Sequence, residues 1–149
     1  ITTAAHCQAI RAVVSDGGFA RLESALLGWA RERGKNAPHW VALPLARLVI
    51  AVAGWRLGAR LSQADPIRWV GQIAPRPLLF IHGDRDPYVP VADIETLYAA
   101  AGEPKELWRV PEAGHREVDR HRPVEYRERV IGFFVRHLTP GAGSTNASR

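Results

Sequence analysis

Apolar and polar positions change period several times along the chain, and each change predicts an element. Thr2 to Gln8 reads as the end of a helix, and Ile10 to Ser15, a short β-branched run closed by Asp16-Gly17-Gly18, predicts a strand and a turn. From Arg21 to Arg33 the positions Leu22, Ala25, Leu26, Trp29 and Ala30 recur at helical spacing, with Gly34 placed as a stop. Trp40 to Leu57 is the most apolar stretch and touches the lower length limit for a bilayer span. Arg47 near its middle and Pro44 in its early turns argue for a buried or lid-like helix instead. Beyond the polar break at Leu61 to Pro66, Ile67 to Ile73 predicts a short helix. Leu78 to Ile81 is apolar without alternation, as a strand covered on both faces of a parallel sheet is. Val91, Ile94, Leu97, Tyr98 and Ala101 return to helical spacing, Glu106 to Val110 predicts another strand, and Tyr126 to Leu138 a last amphipathic helix. Strand, helix, strand, helix at this spacing predicts an α/β domain with a parallel sheet and flanking helices. Residues 139–149 lose all periodicity and read as a flexible tail, within which Asn146-Ala147-Ser148 fits the glycosylation triplet but is assigned no function.

Composition narrows the class. With 149 residues and 46% hydrophobic content the chain has room for one globular domain with a packed core. Lys plus Arg number 20 against 15 Asp plus Glu, but the arginines are scattered and often stand beside acids, as in Arg31-Glu32-Arg33. A nucleic-acid-binding arm would show a dense basic block, so nucleic acid is not an expected partner. A single cysteine, Cys7, makes no internal disulfide and reads as a small buried residue inside the first helix. The chain contains no Met, so it reads as a fragment, and no basic segment followed by an apolar one opens it as a signal peptide would. The location stays open, with the cytoplasm favoured over other compartments, and any targeting or anchor of the parent is expected upstream of Ile1.

Parallel sheets place chemistry at the carboxyl ends of their strands. After the second predicted strand comes His82-Gly83-Asp84-Arg85-Asp86-Pro87-Tyr88-Val89-Pro90, and after the third comes Pro111-Glu112-Ala113-Gly114-His115. An acid and a histidine thus emerge from consecutive strand ends. A histidine accepts a proton from a nucleophile only when its ring is held in one tautomer, which a neighbouring carboxylate does. Asp86 and His115 fit these roles. Taken singly, Asp86 is as well explained as a turn cap before Pro87, and His115 as a surface loop residue. Asp16, at the end of an earlier strand, is the weaker candidate acid, and Asp84 is expected to be exposed or bonded to loop amides. His82, Asp84, Asp86, His115 and His121 have the donor types of a zinc or manganese site. Their spacing crosses a turn with no helical His-x-x-x-His, so no metal and no cofactor is expected.

Together the two segments resemble the α/β-hydrolase family, whose triad runs nucleophile, acid, histidine along the chain. The His-Gly-x-x-Asp-x-x-Val-Pro acid loop is complete from His82 to Pro90, Ala113-Gly114-His115 matches the histidine segment, and the likeness reaches back through Arg76 to Ile81 and Ile10 to Phe19. The resemblance implies that residues 1–138 are the C-terminal part of such a domain, with a helical lid at about 19–66, because the stretch between the first two strands exceeds a simple crossover. Trp29, Trp40, Leu43, Leu45, Leu48, Val49, Ile50 and Trp55 in that stretch would line an apolar pocket or pack as core, and core packing accounts for most of them. No G-x-S-x-G occurs in the chain, so the implied nucleophile precedes Ile1. The implied activity is that of a serine-type hydrolase cleaving an ester or a peptide bond by acyl transfer, on a small-molecule or peptide substrate with a hydrophobic group. These residues alone are then expected to be inactive. The alternatives are a non-catalytic interaction domain of the same fold, or a hydrolase with an Asp or Cys nucleophile of dehalogenase or dienelactone-hydrolase type. The residue at the nucleophile elbow discriminates among them.

Overall fold

A computed structural model describes residues 1–34 and 37–139, so the expected tail beyond Thr139 and the Asn146 triplet lie outside the described residues. Three strands, β1 (Val13–Asp16), β2 (Leu78–Gly83) and β3 (Lys105–Val110), form a parallel sheet in the order β1-β2-β3. Val13 stands opposite Leu78, and Leu78 opposite Lys105, so all three strands release their following loops at one edge.

The central strand is buried along its whole length, as its continuous apolar run predicts. Side chains alternate across it. Leu78 and Phe80 join Val70, Ile73, Ile94 and Leu97 on one face, covered by helices α1 (Thr2–His6) and α4 (Val91–Ala100). Leu79 and Ile81 join Trp108, Val110, Val118 and Phe133 on the other, covered by α5 (Val118–His121) and α6 (Pro123–Leu138). Each such side chain contributes roughly 1.5–3 kcal/mol by leaving water.

Several boundaries differ from the sequence reading, each for a local reason. The first helix stops at His6, and Cys7 is its half-buried terminal cap, neither inside the helix nor in the core. The carbonyls of Ala4, Cys7 and Ile10 all accept from the Arg76 guanidinium, at 2.7, 3.0 and 3.0 Å. Ile10 is therefore held by a side chain, and strand pairing starts only at Val13, which puts Asp16 within the strand. Ile67 to Ile73 forms two short 3₁₀ turns, Pro66–Arg68 and Val70–Gln72, not one helix. Lys105 extends β3 by one residue, and Pro123 opens α6 ahead of Tyr126, its fixed φ and missing N–H suiting a first helical turn.

Between β1 and β2 the chain forms α2 (Leu22–Glu32) and α3 (His39–Leu57). The second of these runs unbroken through Pro44. It is not a core helix. Only Ala46 and Gly54 of α3 are buried, while Trp40, Leu45, Leu48, Val49 and Trp55 are exposed, as is Trp29 of α2. Leu43 and Ile50 are half-buried. The core reading of these residues fails because α2 and the Leu61–Ala64 turn cover one side of α3, and among the described residues nothing covers the opposite side.

Candidate active site

The loops after β2 and β3 bring Asp86 and His115 together. His115 Nδ1 lies 2.6 Å from Asp86 Oδ2, across 29 positions of sequence. The other carboxylate oxygen, Oδ1, accepts the backbone N–H groups of Tyr88 at 2.8 Å and Val89 at 2.9 Å. Both oxygens are thus occupied and the Asp86 side chain is 1% exposed, whereas that of His115 is 33% exposed. An ionised carboxylate held this way favours the tautomer with the proton on Nδ1 and leaves the Nε2 lone pair as a base.

Backbone features place the imidazole. Arg116, next in the chain, has φ 53°, a left-handed conformation uncommon for a residue with a side chain. Gly17 at the end of β1 also has a positive φ, and a Cβ there would stand 3.3 Å from His115 Cε1. At Gly83 a Cβ would be 2.4 Å from the Ala113 carbonyl oxygen, so glycine lets the acid and histidine loops run side by side. The Tyr88 ring meets the imidazole edge-on, with centroids 5.2 Å apart. Tyr88 occupies an unspecified position of the His-Gly-x-x-Asp-x-x-Val-Pro pattern, so nothing in that pattern singles it out.

The other candidates go elsewhere. Asp84 is neither free nor bonded to loop amides through its side chain, because the Arg109 guanidinium donates to both its oxygens, at 2.8 and 3.0 Å. That contact holds the Asp84 carboxyl below its ordinary range. Arg109, outside the acid loop, was not visible as its partner until β2 and β3 were in register. His82 is wholly buried with neither ring nitrogen bonded among the described residues, and burial pushes its imidazole down, toward the neutral form. His121 is exposed at the end of α5. Among the described residues no three His, Cys, Asp or Glu side chains converge as a metal would require.

Asp16 pairs with Tyr126, whose hydroxyl donates to Oδ2 at 3.1 Å, and Oδ1 is buried without a partner among the described residues. Burial raises the Asp16 carboxyl above its ordinary value of 3.8, while burial and the Asp16 charge push the Tyr126 hydroxyl up to about 12. A raised carboxyl favours folding below pH 3.8 and loses that contribution as pH rises through the raised value. Asp16→Asn, which keeps an oxygen for Tyr126 without the charge, is expected to raise the urea midpoint at neutral pH. Its advantage should vanish below pH 3.8, and an unchanged midpoint at neutral pH would show that the buried charge carries no cost.

Comparison with known proteins agrees with this architecture. No family model matches the chain. It is 35% identical over 98 residues to the uncharacterized protein YfhR of Escherichia coli strain K12, a match covering 64% of this chain and 33% of YfhR. The Pyrococcus furiosus esterase Pf2001 superposes with a TM-score of 0.63 at 22% identity, over 91% of this chain and 48% of the esterase. The α/β-hydrolase GrgF of a Penicillium species superposes at 0.61 with 19% identity, over 91% of this chain and 58% of GrgF. The chain thus spans about a third of the curated relative and about half of the solved esterase. Its fold is that of the α/β-hydrolases.

Proposed function

We propose that this chain supplies the acid and the base of a serine-type hydrolase, with the nucleophile contributed from outside these 149 residues. The observation that carries this reading is the contact of 2.6 Å between His115 Nδ1 and Asp86 Oδ2, with Asp86 anchored from behind by two backbone amides. Among the described residues no hydroxyl or thiol donates to His115 Nε2. In the proposed reaction Nε2 takes the proton of the attacking serine hydroxyl as the new bond to the substrate carbonyl forms. It then returns that proton to the leaving group, while Asp86 stabilises the intervening imidazolium. Water repeats the sequence to release the acid. The substrate is an ester or amide with a hydrophobic group, and residues 19–66 serve as a helical lid. The lid reading is supported by the packing of α2 on the acid loop, where a Cβ at Gly28 would stand 1.8 Å from the Tyr88 carbonyl oxygen.

A fluorophosphonate probe tests the assignment in the full-length polypeptide. Labelling of one serine outside residues 1–149, lost on His115→Ala, is the expected result, and residues 1–149 alone should show no turnover of p-nitrophenyl esters. Absence of label in an active full-length protein would overturn the serine assignment in favour of an Asp or Cys nucleophile. Esterase activity from the 149 residues alone would overturn the external nucleophile.

A further inference from the structure

Helix α3 is apolar on every side, yet it buries only one of them. At 100° per residue, Ala46 and Gly54 fall on the side facing α2 and the Leu61–Ala64 turn, while Leu45, Leu48, Val49, Val52 and Trp55, with Arg56 among them, fall on the opposite half and Trp40 on its border, all of them exposed. Trp40 is 78% and Trp55 80% exposed, and they stand at opposite ends of this face, about 22 Å apart along the axis. A helix apolar all round is ordinarily enclosed, by protein or by lipid.

Charge decides which enclosure fits. The C-terminal half of α3, the start of α2 and the turn after α3 border an open cleft of about 750 Å³ lined by Arg21, Arg47, Arg60 and Arg68, beside Trp55 and Ile50. Two carboxylates share the cleft, and both are engaged. Glu23 accepts from Arg47 at 2.9 Å, and Asp65 accepts the Leu22 amide at 2.8 Å. Arg21, Arg60 and Arg68 make no ion pair among the described residues, and all three are exposed. An apolar face with tryptophans at its ends and unpaired arginines beside it matches the acyl and headgroup layers of an anionic bilayer.

We infer that α3 docks this protein on an anionic lipid surface, its Trp40–Trp55 face entering the acyl boundary while Arg21, Arg60 and Arg68 meet headgroup phosphates. The helix lies along the interface and does not cross it, because its other side is packed on α2 and tied there through Arg47 and Glu23. A second copy of the chain is the poorer occupant, since each copy carries a formal net charge of +5 and would bring a partner that is itself positive against the unpaired arginines beside this face. The surface is separate from the Asp86–His115 pair, as no lining residue of the cleft belongs to either catalytic loop.

Co-sedimentation of the full-length polypeptide with vesicles tests this. Binding to phosphatidylcholine vesicles containing phosphatidylglycerol, weakened by salt and absent with phosphatidylcholine alone, is expected. Arg60→Gln with Arg68→Gln should weaken it about 25-fold, about five-fold per arginine. Leu48→Glu should abolish it, and Asp86→Asn should leave it unchanged, which separates docking from the proposed chemistry. Circular dichroism of each variant shows whether it remains folded, and the arginine pair, being exposed, keeps the test sound if Leu48→Glu does not. Equal binding to neutral vesicles, or insensitivity to the arginine pair, would overturn the inference. So would a lipid-free dimer dispersed by Leu48→Glu, which would identify a second copy as the occupant.

Discussion

Asp86→Asn is expected to lower the kcat of the proposed ester hydrolysis by the full-length polypeptide about 10⁴-fold, with little change in KM or stability. The reason lies in how Asp86 is held. The Tyr88 and Val89 amides both donate to Oδ1, so an asparagine places its oxygen there and turns its NH₂ toward His115 Nδ1. Two donors cannot face each other, so Nδ1 becomes the acceptor and the ring proton moves to Nε2, the atom that would receive the proton of the proposed serine. His115→Ala removes the base outright and should cost a similar factor. Asp16→Asn serves as the contrast and should retain most activity, because Asp16 bonds Tyr126 and not the imidazole. The reverse outcome, with Asp16→Asn inactive and Asp86→Asn active, would transfer the role of the acid to Asp16.

Phe80→Ala should destabilise the fold by about 3–5 kcal/mol, whereas Trp55→Ala should change stability in solution by no more than about 0.5 kcal/mol. Phe80 is 0% exposed on the central strand, against Leu97, Ile94 and the edge of the Tyr98 ring, and its removal leaves a cavity that a sheet packed on both faces cannot close. Trp55 is as large and as apolar but has little to lose. In thermal unfolding at this chain length each kcal/mol corresponds to roughly 2–4 °C. A Trp55→Ala loss comparable to that of Phe80→Ala would show that α3 is covered in solution, and would count against its availability to lipid.

Much of the candidate site, the bringing together of the two strand-end loops, was legible before the structure because its signals are local. The continuous run Leu78 to Ile81 marks a strand buried on both faces, the turn residues after it mark the acid loop, and the spacing from Asp86 to His115 leaves room for one helix and one strand. Boundaries shifted where a distant group intervened, as Arg76 does at Ile10 and Cys7. The core reading of the apolar residues of α3 failed for a different reason. Apolar content measures what a segment gains by leaving water, and carries no information on whether the chain has anything to cover it with.

The order of strands and helices, the parallel sheet and the placing of an acid and a histidine at adjacent strand ends were determined by the sequence itself, since periodicity and turn chemistry act over a few residues. Tertiary structure alone decided the rest. It closed Asp86 on His115 across 29 positions and paired Asp16 with Tyr126 across 110. It gave Asp84 to Arg109, and left one side of α3 uncovered by the described residues. Such contacts depend on strand register and on which faces meet, and these are properties of the whole packed chain that no short window of residues contains.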